Sequence, residues 1–140
     1  MVEDGWSPYF VLICDDIRLE STGKHFIIGL YNEIMIVAGV PVVMSSLALR
    51  IAVRLHRTNF KESKFELKSP TGSVVASGSS EVNSQTMDEY VPFVFAFQGL
   101  VLSHIGEYTI HFGLDGPLRN VGRLIVRLPE TDQERHLLSR

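Results

Sequence analysis

The 140-residue chain holds a single cysteine, Cys14. One thiol excludes an intrachain disulfide and every cysteine-rich zinc site. It also predicts a reducing compartment, read here as the cytoplasm. Long apolar runs are missing too. The longest stretches, Tyr9–Cys14 and Ile34–Met44, fall far short of the ~20 residues that a membrane-spanning helix needs. Glu3 and Asp4 stand where a secretory signal would carry Lys or Arg, which predicts a soluble protein without one. Neither sign of charge prevails. The net charge is -3, with 21% charged and 45% apolar residues, a balance that excludes wholesale disorder and proposes no strongly charged partner. Mean hydropathy is +0.14, slightly high for a small monomer, and hints at a buried interface.

Helical periodicity is the next absence. No window shows a 3.6-residue apolar face, except that residues 130–140 (ETDQERHLLSR) form either a short helix or a flexible tail. Internal repeats, linkers and low-complexity tracts are absent as well, so residues 1–140 read as one domain.

Alternation with period two is what the chain has instead. Leu47, Leu49, Ile51, Val53 and Leu55 interleave with Ala48, Arg50, Ala52, Arg54 and His56. This pattern predicts a strand with an apolar face and a small-and-basic one. Similar runs cover Phe93–Phe97, Tyr108–Leu114, Leu124–Leu128 and Phe65–Leu67. Turn signals separate them, among them Ser69-Pro70-Thr71-Gly72, Ser21-Thr22-Gly23-Lys24 and Leu114-Asp115-Gly116-Pro117. Asn32-Glu33 turns the chain into a strand at 34–37. Residues 78–88 contain a polar loop. About eight or nine short strands at ten-residue spacing predict an all-β chain, an antiparallel β-sandwich. Within it, Gly106-Glu107-Tyr108 resembles the corner tyrosine of immunoglobulin-like folds, whose hydroxyl bonds back to the chain. The fold expected is therefore an immunoglobulin-like sandwich.

The opening is more distinctive. Cys14-Asp15-Asp16-Ile17-Arg18-Leu19-Glu20, then Gly23-Lys24, then Ile28-Gly29-Leu30-Tyr31, resembles a family of small bacterial proteins of unknown function. Its members pair C-D-D-x-R-x-E with G-K and I-G-x-Y. The resemblance implies a bacterial source and a compact β domain, and it supplies no activity. Physically, alternation sets Asp15 on the face of Ile13 and Ile17, where a carboxylate needs partners. The backbone N–H groups of the Ser21–Lys24 turn, or Lys24 itself, are the candidates. Asp16 falls beside Arg18, with which it can pair. The cluster of Asp15, Asp16, Arg18, Gly23 and Lys24 then either pins the first hairpin or forms a polar binding site at its end.

Catalytic constellations are missing. No two of the five histidines share H-x-H or H-x-x-x-H spacing. His104 and His111 lack the further ligands of a metal site, and no loop carries a calcium-type carboxylate cluster. Asp15 and Asp16 raise the Cys14 pKa, the wrong direction for a nucleophile. Neither a G-x-S-x-G elbow nor a glycine-rich phosphate loop occurs. These absences predict no catalytic residue, no metal and no cofactor.

One charge asymmetry remains. Residues 50–68 carry six Lys and Arg against two Glu, a local excess of positive charge in a net acidic chain. If this stretch forms a hairpin across Arg57–Ser63, then Arg50, Arg54, His56, Lys64 and Lys68 share one basic sheet face. That face is either solvated or a docking surface for an acidic protein partner or a second copy, which would make a homodimer. It lacks interleaved aromatics, which argues against nucleic acid. The sequence thus favours a non-enzymatic interaction or structural module. The alternatives are a ligand- or glycan-binding sandwich, using exposed rings among Trp6, Tyr9, Tyr31 and Tyr90, and an enzyme with an unrecognised site.

Overall fold

The computed structural model describes residues 4–82 and 90–138. The strands in chain order are β1 (Trp6–Leu19), β2 (His25–Tyr31), β3 (Ile34–Ile36), β4 (Val42–Met44), β5 (Leu47–Leu55), β6 (Glu62–Lys68), β7 (Val74–Glu81), β8 (Tyr90–Phe97), β9 (Leu100–Leu102), β10 (Gly106–Leu114) and β11 (Arg119–Arg127). One short helix, α1 (Asp132–Leu138), follows. A four-stranded sheet runs β2-β1-β5-β8 and a five-stranded sheet β3-β11-β10-β6-β7, while β4 and β9 form a small ribbon. Pairing is antiparallel except between β3 and β11. The chain is all-β as the alternation predicts, with more strands than the eight or nine expected. The strand expected at 34–37 forms as β3, whereas β4 and β9, three residues each, were not expected.

The two larger sheets face one another across a common core. Leu47, Leu49, Ile51, Val53 and Leu55 of β5 are all buried, as are Phe65 and Leu67 of β6 and Ile110 and Phe112 of β10. Rings cross the gap: Phe65 lies 4.5 Å from Phe95, and Phe93 lies 5.1 Å from Phe112. Fully burying each such ring contributes roughly 1.5–3 kcal/mol. At the end of β1, Trp6 meets Phe112 edge-on at 5.4 Å. The Arg119 guanidinium covers Trp6 at 3.7 Å and donates to its carbonyl at 2.8 Å.

The expected β5–β6 hairpin does not form. Both edges of β5 are taken, by β1 and β8, and β6 pairs with β10 and β7 in the other sheet. Residues 56–61 cross between the sheets instead. Phe60 is buried in this crossover beneath the Arg57 guanidinium at 3.9 Å. The Asp115 carboxylate then accepts the backbone N–H groups of Lys61 and Glu62, at 2.9 and 2.8 Å, and fixes the start of β6. The physical reason is burial. A hairpin would lay the apolar faces of both strands on one side of one sheet, whereas the crossover presses them together.

The corner at Tyr108 forms as expected. Tyr108 is fully buried, its hydroxyl donates to the His104 carbonyl at 2.8 Å, and the His104 N–H donates back to it at 3.2 Å. The Ser69–Gly72 turn closes with Gly72 N–H donating to the Ser69 carbonyl at 2.9 Å. Its Pro70 packs against Gly106, where the backbone takes φ +131°. The strand after that turn extends to Glu81, farther into the expected loop than alternation reached. The rest of that loop, residues 83–88, lies outside the described residues. Residues 132–138 are helical, with Thr131 capping the Glu134 N–H at 3.1 Å. Among the described residues, no helix is long and apolar enough to cross a membrane.

Candidate functional site

The first hairpin gathers the signature residues, with one change of partner. Asp15 accepts from the Tyr31 hydroxyl at 2.7 Å, not from the Ser21–Lys24 turn. The turn bonds to itself, Gly23 N–H to Glu20 O at 2.9 Å and Glu20 N–H to Lys24 O at 2.8 Å. The β1–β2 register brings Gly29 opposite Asp15. Gly29 adopts φ +69°, and a Cβ built there would overlap the carboxylate. Burial, then the bond to Asp15, pushes the Tyr31 phenol well above its ordinary pKa. Asp16 does pair with Arg18, at 3.1 Å on the surface. Cys14 is fully buried, and burial raises its thiol pKa, with Asp15 and Asp16 adding to the rise. This geometry holds a hairpin together and leaves Cys14 a poor nucleophile.

The five residues of the expected basic face are divided. Lys64 and Lys68 lie on β6 beside inward-facing Phe65 and Leu67, so they project from the outer face of the five-stranded sheet. Lys64 is paired with Glu62 at 3.3 Å. Arg50 and Arg54 project from β5 on the outer face of the four-stranded sheet, the opposite side of the molecule. His56 lies past the end of β5 and bonds Ser7 Oγ at 2.9 Å. His104 serves the tyrosine corner through its backbone, and His111 bonds Thr109 at 2.9 Å. Among the described residues, no group of three or more His, Cys, Asp or Glu could hold a metal ion.

What the sequence did not place is the company Arg50 keeps. On the outer face of the four-stranded sheet, Ala52 stands between Phe10 of β1 and Pro92 of β8. The β1 register shifts between Pro8 and Phe10. A bulge there breaks alternation, and two consecutive rings, Tyr9 and Phe10, both reach the surface. Tyr9 stacks on Tyr90 of β8 at 3.8 Å, although β5 runs between their strands. Ala52, 2% exposed, is small enough for rings to close above it. Tyr9 and Tyr90 nevertheless remain about half exposed, at 53% and 51%, and Phe10 at 38%. The Arg50 guanidinium sits 5.6 Å from the Phe10 ring centroid.

Beside these rings lies a groove of about 350 Å³, lined by Leu12, Gly23, Lys24, His25, Ile27, Arg50 and Pro92. Arg50 Nε–H donates to His25 Nδ1 at 2.9 Å. Burial, then the Arg50 charge, lowers the His25 pKa, in keeping with an Nδ1 that accepts the Arg50 bond. Lys24 of the signature and Arg50 of the expected basic face thus meet at one groove. Of the rings considered as a platform, Trp6 is buried and Tyr31 is committed to Asp15, while Tyr9 and Tyr90 are exposed. Phe10 and His25 escaped the sequence reading, because the first is revealed by the β1–β5 register with its bulge and the second by a contact between residues 25 apart in sequence.

A comparison with curated proteins gives no match. A family model described as "Family of unknown function (DUF6941)" matches residues 9–127. That span begins at the ring stack, ends with β11 and leaves α1 outside. The chain therefore belongs to this family, DUF6941, whose function is unknown.

Proposed function

We propose that the chain is a non-enzymatic interaction module that docks a protein partner on the outer face of its four-stranded sheet. We read its architecture as an immunoglobulin-like sandwich formed by the whole chain, on the strength of the Tyr108 corner. The single cysteine supports a cytoplasmic setting.

One observation carries the docking reading: the two outer faces differ in kind. The middle of the five-stranded sheet presents Lys64, Glu66, Lys68, Ser77, Ser79 and His111, a polar surface, with exposed Val74 and Ile34 on its edge strands. The four-stranded sheet presents Tyr9, Phe10, Tyr90 and exposed Val94 around small alanines, with Arg50 against a ring. Tyrosine and arginine are the residues over-represented among interface hot spots. Rings that already stack on each other lose little conformational freedom when a partner covers them.

The test is capture of partners by the tagged chain from a lysate of its own organism, using three forms. Tyr90→Ser with Val94→Ser should lose the partner. Lys64→Glu with Lys68→Glu, on the opposite face, should retain it. Loss in the second form and retention in the first would refute the reading. A partner of the chain's own mass would identify a homodimer.

A second reading has one observation in its favour. The exposed Tyr9–Tyr90 pair is the kind of aromatic platform on which a sugar ring can lie. Quenching or enhancement of tyrosine fluorescence by soluble glycans would support it.

A further inference from the structure

The groove beside the ring stack has a chemistry of its own. Arg50 spends its Nε–H on His25, and its Nη groups have no hydrogen-bond partner among the described residues. Because His25 Nδ1 accepts that bond, the neutral imidazole carries its proton on Nε2 and is a donor there. Lys24 is exposed at the hairpin end and lines the same groove. Among the described residues, no carboxylate pairs with either Lys24 or Arg50. The remaining lining from Leu12, Ile27 and Pro92 is apolar. Two unneutralised cations, one held in place by a hydrogen bond and a ring, therefore border an apolar floor.

We propose that this groove seats an acidic side chain of the docked protein. The Asp or Glu carboxylate lies between the Arg50 Nη groups and Lys24 Nζ, and an apolar neighbour in the same segment lies on Phe10 and Leu12. The inference rests on the docking reading above and names what its partner must offer. Arginine suits a planar carboxylate because its N–H groups match both oxygens. Two cations and a neutral imidazole suit one negative charge. The apolar floor suits a side chain more than a free, strongly hydrated ion.

The test is an NMR titration of the full, ¹⁵N-labelled chain with three probes. N-acetylphenylalanine carries a carboxylate on an apolar body, its amide carries the same body without charge, and inorganic phosphate carries charge without the body. Saturable shifts at the amides of Lys24, His25 and Arg50 are expected with the acid. Affinity should fall about tenfold for the amide and for both Arg50→Gln and Lys24→Gln, the loss of one charge-assisted contact. Lys24 is exposed, so its variant tests the groove even if Arg50→Gln disturbs folding. Equal binding of acid and amide, affinity unchanged in both variants, or no saturable shift would overturn the proposal. Tighter binding of phosphate than of the acid would also overturn it, by assigning the groove to phosphate groups. Partner capture separates this inference from the reading beneath it. A partner lost by Tyr90→Ser with Val94→Ser but kept by Arg50→Gln with Lys24→Gln overturns the carboxylate seat alone. A partner kept by both pairs overturns the docking face as well.

Discussion

The Tyr31 hydroxyl donates to the Asp15 carboxylate at 2.7 Å across the first hairpin. The bond joins the acidic and the I-G-x-Y halves of the amino-terminal signature, and it explains why a half-buried carboxylate is tolerated there. Tyr31→Phe removes the donor and leaves the acceptor in place. We expect a loss of about 1–3 kcal/mol, the cost of an unsatisfied buried polar group. In Asp15→Asn the further loss from Tyr31→Phe should be smaller. Denaturant midpoints of the two single variants and the double variant give the coupling, and strict additivity would contradict it.

Gly29 completes that arrangement. Its φ of +69° and the carboxylate above it both exclude a Cβ. Gly29→Ala should cost more than about 2 kcal/mol, because the left-handed conformation alone costs roughly 1–2 kcal/mol. A stability within a few tenths of a kcal/mol of the parent, measured by urea unfolding, would show that the hairpin relaxes around it.

Tyr108→Phe keeps the buried ring and deletes the hydroxyl that holds the His104 backbone at 2.8 Å. The expected cost is about 1 kcal/mol. A chain of this size then melts several degrees lower, by roughly 3–6 °C. An unchanged melting temperature would mean that the corner contributes nothing to stability.

Phe60 tests the crossover that replaces the expected hairpin. It is 2% exposed and plugs the passage between the sheets. Phe60→Ala should destabilise by about 3–5 kcal/mol. A small loss would be incompatible with that packing.

The terminal helix predicts a pH dependence. Glu134 receives both Nη groups of Arg127, at 2.9 and 2.7 Å, and the Glu130 N–H at 2.8 Å. The Arg127 bonds, then that backbone bond, lower its pKa from 4.5 to about 2. A carboxylate with a depressed folded pKa stabilises fully above its unfolded value and loses that contribution as pH falls. Docking of α1 should therefore weaken between about pH 4.5 and pH 2. Amide shifts of residues 132–138 report it, and Arg127→Gln should move the midpoint up toward 4.5. Identical midpoints in parent and variant would contradict the pairing.

Much of this fold was legible because its signals are local. The five inward residues of β5, the Ser69–Gly72 turn and the Gly106–Tyr108 corner each declare themselves within a few residues. What escaped depends on pairing between distant segments. β4 and β9 are three-residue strands with no room for alternation. The bulge at Tyr9 sits inside a continuous apolar stretch, where period two has no phase to lose. The basic residues between Arg50 and Lys68 suggested one face because adjacency in sequence suggested adjacency in space, and burial of both apolar strand faces required the reverse. Lys24 and Arg50 were both singled out, yet their shared groove exists only through the β2-β1-β5 order.

The most direct test of the docking face is photo-crosslinking in cells from single positions. A photoreactive side chain replacing Val94 would report on the outer face of the four-stranded sheet, and one replacing Ser79 on the opposite face. The account predicts a discrete protein adduct from position 94 and none from position 79. Adducts from position 79 alone, or none from either, would contradict it.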